Sequence, residues 1–329
     1  MKILVTGGTG FLGWHLVQNL LQAGHDITIA GRNFTQVGAL YRQRARLIVA
    51  DLRDDAAMRG ACKGMEIVFH VGALSAAWGK NADFHAINVG GTQAVIDGCC
   101  EHGVRRLIYV SSPSVVFTGR DICNATDELS YPQHFTSVYA LTKKLGEDLV
   151  NAASNRMETV ILRPKAIFGP GDRTLFPQLI AAARRKRLPQ IGNGKNLVDI
   201  TYVENVVQAL VLAMDAATAV GHTYTITNDE HVLLWDIIHQ VLQALNLDIS
   251  LRKVPLSVAW LAATCMEVQA TIMGTEPLLT RYSAAILGRT QTYDIRAAKR
   301  DLNYIPRISV AEGIRYTLIT FKETTEIEK

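Results

Sequence analysis

The sequence predicts an α/β protein: a doubly wound parallel sheet with a smaller, discontinuous second domain toward the C-terminus. Three observations carry this. Short apolar runs rich in branched residues alternate with helical spacings through the first half of the chain. The first run breaks into Thr6-Gly7-Gly8-Thr9-Gly10-Phe11-Leu12-Gly13 and then into a helix. Beyond about residue 172 the alternation becomes irregular.

Lys2-Ile3-Leu4-Val5 reads as a buried parallel strand, and Phe11, Leu12, Leu16, Leu20 and Leu21 recur at helical spacing. Strand, glycine turn and helix in this order hold a dinucleotide pyrophosphate in a Rossmann-type sheet. The glycines read as Gly8-x-Gly10-x-x-Gly13 or Gly7-x-x-Gly10-x-x-Gly13. Glycine lets backbone and phosphate approach closely, and the helix start presents free N–H groups to the anion. Gly7, Gly10, Phe11, Leu12 and Gly13 are therefore candidate cofactor contacts. A glycine turn in some other α/β protein is the plainer alternative.

A second strand, Asp26 to Ala30, ends at Gly31-Arg32-Asn33. An acidic residue here would bind the adenosine ribose and repel a 2′-phosphate. Arg32 can instead pair with a phosphate, which favours NADP. If Arg32 only stacks on the adenine, NAD is permitted. A third strand, Arg46 to Ala50, ends at Asp51-Leu52. Asp51 either accepts from the adenine amino group or caps the next helix. Glu66 to His70 leads into a loop of small residues, Val71 to Gly79, at a strand C-terminus, where α/β sheets bind ligands. Trp78 in this loop reads as a substrate-pocket wall or as an anchor on the core. Asp83 to His102 reads as a long helix, with Cys99 and Cys100 as packing residues. Arg106 to Val110 is the fifth strand and runs into Ser111-Ser112-Pro113-Ser114.

Tyr139 and Lys143 follow at i and i+4, on one helix face. A nearby cation favours tyrosinate, so a lowered Tyr139 pKa is expected. The phenol then serves as a proton donor and acceptor near neutral pH. Such a pair is common by chance, but here it follows a complete dinucleotide half and a serine-rich strand end.

The chain has 329 residues and a net charge of +4, with no basic segment interleaved with aromatics, so nucleic acid is not an expected partner. Five cysteines without metal-ligand spacing point to reduced thiols in a cytoplasmic protein and to no metal site. No signal peptide is expected at the N-terminus, and no membrane span. The most apolar stretch, Val254 to Met266, is cut by Glu267 and Gln269.

In the second half, Thr174 to Lys186 reads as a helix ending in Arg184-Arg185-Lys186-Arg187, a solvated end in preference to an anion patch. Tyr202 to Met214 and the strand Thr223 to Thr227 rejoin the cofactor domain. The expected division is residues 1–171 and 196–228 for the cofactor, and 172–195 and 229–329 for the substrate. His231 to Leu245 reads as an amphipathic helix and Leu251 to Val254 as a strand. Val254 to Met273 reads first as helical core, then as an apolar pocket or a surface in peripheral contact with lipid. Val310 to Phe321 is the closing helix, with a frayed polar tail.

With both motifs in view, the chain resembles the extended short-chain dehydrogenase/reductase family. Besides the glycine turn and Tyr139-x-x-x-Lys143, the likeness rests on Asp51-Leu52, Asn88-Val89-Gly90-Gly91-Thr92, Ser111 to Val115 and Leu162-Arg163-Pro164. Phe168-Gly169-Pro170-Gly171-Asp172 and Asp199 to Val206 complete it. Within that family it is similar to the 3β-hydroxysteroid dehydrogenase branch and to bacterial 2-alkyl-3-oxoalkanoate reductases. Ala77-Trp78-Gly79, Ser112 to Val115, the Phe168 to Asp172 turn and Glu276 to Thr280 carry this finer likeness.

The resemblance implies that Ser112 binds the substrate oxygen, Tyr139 is the acid/base, and Lys143 lowers its pKa and holds the nicotinamide ribose. It adds Pro164 and Ile167 to the cofactor contacts and places Ser114 with Trp78 on the substrate side. Two departures stand out. Val71-Gly72-Ala73 occupies a place where relatives often carry an Ala-Ala pair, and Gly31 after the second strand leaves NAD specificity open. The implied activity is hydride transfer between NAD(P) and a ketone or secondary alcohol on a steroid-like or long-chain 3-oxoacyl substrate. The alternatives are a nucleoside-diphosphate-sugar epimerase or reductase, and a non-catalytic NAD(P)-sensing protein. A homodimer through the segments around Asp83 to His102 and Ser137 to Asn155 is expected.

Overall fold

The computed structural model describes residues 1–35, 43–185, 188–247 and 251–327. Lys186 and Arg187, the end of the expected basic run, lie outside them. Seven parallel strands form the main sheet: β1 Lys2–Thr6, β2 Asp26–Gly31, β3 Ala45–Val49, β4 Ile67–His70, β5 Arg106–Val110, β6 Glu158–Pro164 and β7 Thr223–Ile226, in the order β7-β6-β5-β4-β1-β2-β3. The long helices are α1 Phe11–Gln22, α2 Asp55–Ala61, α3 Gly91–Glu101, α4 Val138–Ala152, α5 Leu175–Arg184 and α6 Val203–Asp215. They continue as α7 Leu234–Ala244, α8 Leu256–Met273, α9 Arg281–Gly288, α10 Arg296–Leu302 and α11 Val310–Ile327.

The sheet is buried on both faces because successive side chains point to opposite sides. Ile3, Val5, Ile27 and Ile29 pack with Leu16, Leu20 and Leu210 on one face. Leu4, Val68, Leu107 and Tyr109 pack with Val95, Cys99 and Val150 on the other. Strand order reverses between β1 and β4, and such a switch point opens a ligand crevice at the strand C-termini. There the two loops nearly touch: a Cβ on Gly7 would lie 2.6 Å from the Gly72 Cα, and Gly7 has φ +68°. This explains the Val71-Gly72-Ala73 departure, since a Cβ on Gly72 would press on Leu52 at 3.1 Å and on the Gly7 nitrogen at 3.3 Å.

A second sheet of four short strands joins distant segments in the order Val232–Leu233, Leu197–Val198, Gln291–Tyr293, Ile122–Ala125. It accounts for one difference from the sequence reading. The helix expected from His231 starts only at Leu234, because Val232 and Leu233 pair antiparallel with Val198 and Leu197. The long helix expected from Asp83 begins at Asn81 and widens into a π turn at His85–Gly90 before α3. Such a turn inserts an extra residue and re-aims a side chain; here Asn88 is turned into the interior, 1% exposed.

The reading of residues 254–273 as core is corrected. In α8 only Ala259, Ala263 and Ala270 are buried, while Val258, Leu261, Val268, Ile272 and Met273 are exposed. The helix is 18 residues long with a mean hydropathy of 1.3, long and apolar enough by composition to cross a membrane, and 17% of it is buried. Glu267, which interrupts its apolar run, lies within the helix. Its carboxylate accepts from the backbone N–H and the Nε of Arg281, each at 2.7 Å, so its charge is matched.

One buried ion pair joins α4 to β6. Arg163 Nε donates to Glu147 Oε1 at 2.8 Å and its Nη2 to Oε2 at 2.6 Å, with side chains 5% and 0% exposed. Tyr131 donates a third bond to the same carboxylate at 2.6 Å. Removing one charge leaves the other buried and unmatched, which costs about 3–5 kcal/mol. Glu147→Gln is therefore expected to lower the unfolding free energy by about that amount in urea titration; a loss under about 1 kcal/mol would contradict this account.

Candidate active site

The site lies where β1, β4 and β5 end. At the glycine turn, Gly10 is the N-cap of α1 with no side-chain capping bond, and the first turn carries no acidic residue. The positive end of the helix is thus left to an anion. A Cβ on Gly13 would sit 2.2 Å from the Gly7 carbonyl oxygen, so α1 can close on the turn only with glycine there. Beside it is a cleft of about 560 Å³ lined by Gly10, Phe11, Arg32, Asn33, Thr35 and Arg173, among others. Leu12 is buried beneath. These features fit a dinucleotide: an uncapped helix end, glycine where backbone crowds backbone, and an arginine where β2 ends.

Asp51 does not cap α2. Asp54 does, accepting from the Ala57 N–H at 3.0 Å, because it stands three residues before that donor. Asp51 accepts from Arg53 through its backbone N–H and guanidinium, which hold its carboxyl down at about 2. Leu52 packs beneath Gly72 and Gly91.

Under the crevice runs a polar chain. Gly72 N–H donates to Thr6 Oγ1 at 3.3 Å, Thr6 Oγ1 meets His70 Nδ1 at 2.7 Å, and His70 Nε2 meets Thr92 Oγ1 at 2.9 Å. Thr92 spends its one hydroxyl proton on the Asn88 carbonyl at 2.7 Å, so it accepts from His70. His70 therefore carries its proton on Nε2 and accepts from Thr6 at Nδ1. Burial, and to a lesser degree the charge of Lys143, push its pKa down to about 3, so it stays neutral.

Asn88 extends the chain to the catalytic side. Its amide exchanges bonds with Leu74, accepting at 2.7 Å and donating at 3.1 Å, and donates to Thr142 Oγ1 on α4 at 3.0 Å. In the sequence, Asn88 and Thr92 stood only as part of a family signature. The π turn that aims Asn88 inward has no periodicity signal to reveal it.

Tyr139 opens α4 beside Ser137, whose side chain caps the helix by accepting from Ala140 N–H at 3.1 Å. The phenol is half-buried, and Ser112 and Ser75 stand near enough for their hydroxyls to favour its charged form. Ser75 was missed as a site residue, although it stands in the loop at the end of β4. Ser112 caps the short turn Pro113–Val116, accepting from Ser114 N–H at 3.2 Å. Ser114 is buried and its hydroxyl has no partner. Pro164 ends β6 as a buried residue and Ile167 follows half-buried. Trp78 is half-buried in the loop after β4, and among the described residues no hydrogen bond or ring contact ties it to Tyr139.

The expected lowering of the Tyr139 pKa is corrected. Burial pushes it up, while the nearby Ser75 and Ser112 hydroxyls pull the other way. Lys143 does not act on it, because its Nζ donates to the Val110 carbonyl at 2.7 Å and lies 4.0 Å from the Tyr109 ring centroid. Burial draws Lys143 itself down to about 7, against the smaller raising effect of Glu147.

The sequence model of the 3-beta hydroxysteroid dehydrogenase/isomerase family matches residues 4–256. The chain belongs to that family. It is 37% identical over 324 residues to the 2-alkyl-3-oxoalkanoate reductase of Stenotrophomonas maltophilia, covering 96% of this chain and 98% of that one. It is 39% identical over 350 residues to the 3beta-hydroxysteroid-dehydrogenase/decarboxylase isoform 2 of Arabidopsis thaliana. That match covers 98% of this chain but only 62% of the plant protein. The crystal structure of the UDP-glucuronic acid 4-epimerase of Bacillus cereus superposes with a TM-score of 0.79 at 22% identity, over 98% of this chain and 99% of that one, which shows the shared fold. This family of oxidoreductases acts on CH–OH groups, and α8 lies almost wholly beyond the matched residues.

The Lys143 environment has a pH signature in the free protein. Below about pH 7 the folded and unfolded chains both carry its proton, and the folded one bears the cost of burying the charge. As pH rises from there toward lysine's ordinary value of about 10, only the unfolded chain keeps the proton, so this group's contribution to stability rises with pH. Against Lys143→Met, the parent is expected to gain relative stability across that window in denaturation curves. A difference that is flat with pH would refute it.

Proposed function

We propose that this protein transfers a hydride between a nicotinamide cofactor and the oxygen-bearing carbon of a hydrophobic 3-oxo or 3-hydroxy substrate, sterol-like or long-chain. The observation that carries the reading is the Tyr139 phenol near Ser112 and Ser75 at the C-terminal end of the sheet, one helical turn before the buried Lys143. The apolar cluster of Val115, Phe117, Tyr282 and Ile286 beside Ser112 supports an apolar substrate body.

The nicotinamide, when bound, supplies or accepts the hydride. The remaining work falls to the chain. Ser112 and Ser75 offer hydroxyls to the substrate oxygen. A phenol kept protonated by burial is in the form that donates, so in reduction Tyr139 gives its proton to that oxygen as negative charge develops on it. Lys143, bonded to the Val110 carbonyl and not acting on the phenol, is left the role of holding the nicotinamide ribose. In oxidation the same groups act in reverse. Tyr139→Phe is expected to lower ketone-dependent NAD(P)H turnover by about 10²–10⁴-fold; unaltered turnover would remove Tyr139 from the mechanism.

We assign NADP as the preferred cofactor. In support, β2 ends in Gly31-Arg32 with no carboxylate there, and Arg32 shares its cleft with Asn33, Thr35 and Arg173. Charge-assisted bonds from arginine to phosphate are among the stronger polar contacts. Arg32→Ala is expected to raise the KM for NADPH about tenfold or more and to leave that for NADH within about twofold. Equal effects on both cofactors would return Arg32 to adenine stacking.

A further inference from the structure

The outer face of α8 takes no part in the roles assigned so far. Along it, Val258, Leu261, Cys265, Val268 and Ile272 follow at spacings of three, four, three and four residues. With 3.6 residues to a turn, they fall in a single stripe about 80° wide. All five are exposed, Leu261 at 67% and Ile272 at 81%. The opposite side of the helix is the one that packs. Ala259 and Ala263 are buried there with Ala183 at the end of α5, and Ala270 is buried one turn further on.

The stripe has the form of a helix-pairing seam. Ser257, Thr264 and Thr271 flank it on one side, Ala262 and Gln269 on the other, and all are small or uncharged. The one charge on α8, Glu267, is taken up by Arg281 at 2.7 Å. A helix lying on lipid presents a broad apolar face bordered by cations. A narrow three-four seam is what a second helix fills, with side chains of one inserted between those of the other. The helices expected to pair two copies lack such a face: among the described residues, no large apolar side chain is exposed within 83–102 or 137–155.

The seam is also complementary to itself when reversed. Val258 and Ile272 stand seven residues to either side of Cys265, and Leu261 and Val268 stand four and three. A two-fold axis near Cys265 therefore lays apolar on apolar along the whole stripe, as an isologous contact requires. The two halves differ in shape. The C-terminal half carries an apolar groove of about 440 Å³ lined by Thr264, Cys265, Val268, Gln269, Ile272 and Met273. Reversal brings Val258 and Leu261 of a second copy over it. The ends differ in charge. Lys253 stands twelve residues before Cys265 and Glu276 eleven after. Both are exposed, with no ion-pair partner among the described residues. Reversal sets each lysine near the other copy's glutamate, whereas a parallel pair would set like charges together. The helix dipoles oppose each other in the same favourable sense.

We propose that α8 is the face through which two copies of this chain associate, with their α8 helices antiparallel about a two-fold axis near Cys265. Val258 and Leu261 of each copy fill the groove of the other, and Lys253 and Glu276 fix the direction. The proposal does not rest on the hydride-transfer reading.

The test is sedimentation velocity of the intact protein at micromolar concentration. The parent is expected to run at the mass of two chains and Leu261→Glu at the mass of one. Lys253→Glu and Glu276→Lys, each alone, should weaken self-association about tenfold, since each sets two like-charge contacts in the dimer. Mixed together, these two variants should associate at least about tenfold more tightly than either does with itself, because the mixed pair has opposite charges at both contacts. A variant that had merely misfolded would not regain affinity on mixing. A parent that runs as one chain, a Leu261→Glu variant that stays paired, or charge variants that prefer themselves to each other overturns the proposal. Flotation of the parent with vesicles of phosphatidylcholine and phosphatidylglycerol, lost in Leu261→Glu, also overturns it and gives the face to lipid.

Discussion

The buried pair between Glu147 and Arg163 is the contact on which the site depends. It fastens α4, which carries Tyr139 and Lys143, to β6, whose end carries Pro164 and Lys165. Taking both charges out of water costs several kcal/mol for each ion, and the cost is offset only by good geometry. That geometry is present in two parallel bonds from one guanidinium and a third from Tyr131. An apolar contact of the same area would hold the helix but would leave it free to slide or turn. Directional bonds at one turn beyond Lys143 fix both its height and its rotation.

A second polar system works from the other side. The chain from Gly72 through Thr6, His70 and Thr92 to Asn88 links the end of β1, at the glycine turn, to the loop after β4, and Asn88 passes the link on to Thr142 in α4. A neutral histidine suits this place, since it accepts at one nitrogen and donates at the other without bringing a charge into the core. The glycine turn and the Tyr139/Lys143 helix therefore share one hydrogen-bond chain. Lys143 stands next to it, bound to the Val110 carbonyl at the end of β5.

The apolar helix α8 is held differently. It touches the rest of the chain mainly through alanines and through Glu267 and Arg281, and it turns its larger side chains outward. It lies almost wholly outside the residues that the family model matches. The Tyr139/Lys143 helix and the glycine turn thus lie within the residues the family model matches, and the most exposed apolar surface lies almost wholly beyond them.

The sequence by itself determined the sheet, the glycine turn and the Tyr139/Lys143 helix. Each rests on local causes: apolar periodicity, the reach of glycine, and i to i+4 geometry. The first five strands were legible to within about a residue for the same reason. Tertiary structure decided what depends on partners far along the chain. The π turn at Asn88, the short pairing of Val232–Leu233 with Leu197–Val198, and the Ser75 contact to Tyr139 have no signature in the residues around them. The direction of the Tyr139 shift belongs here too. Spacing placed a cation on the same helix face, but only the folded chain shows that cation turned to Val110, so desolvation of the phenol decides the direction against the smaller pull of Ser75 and Ser112.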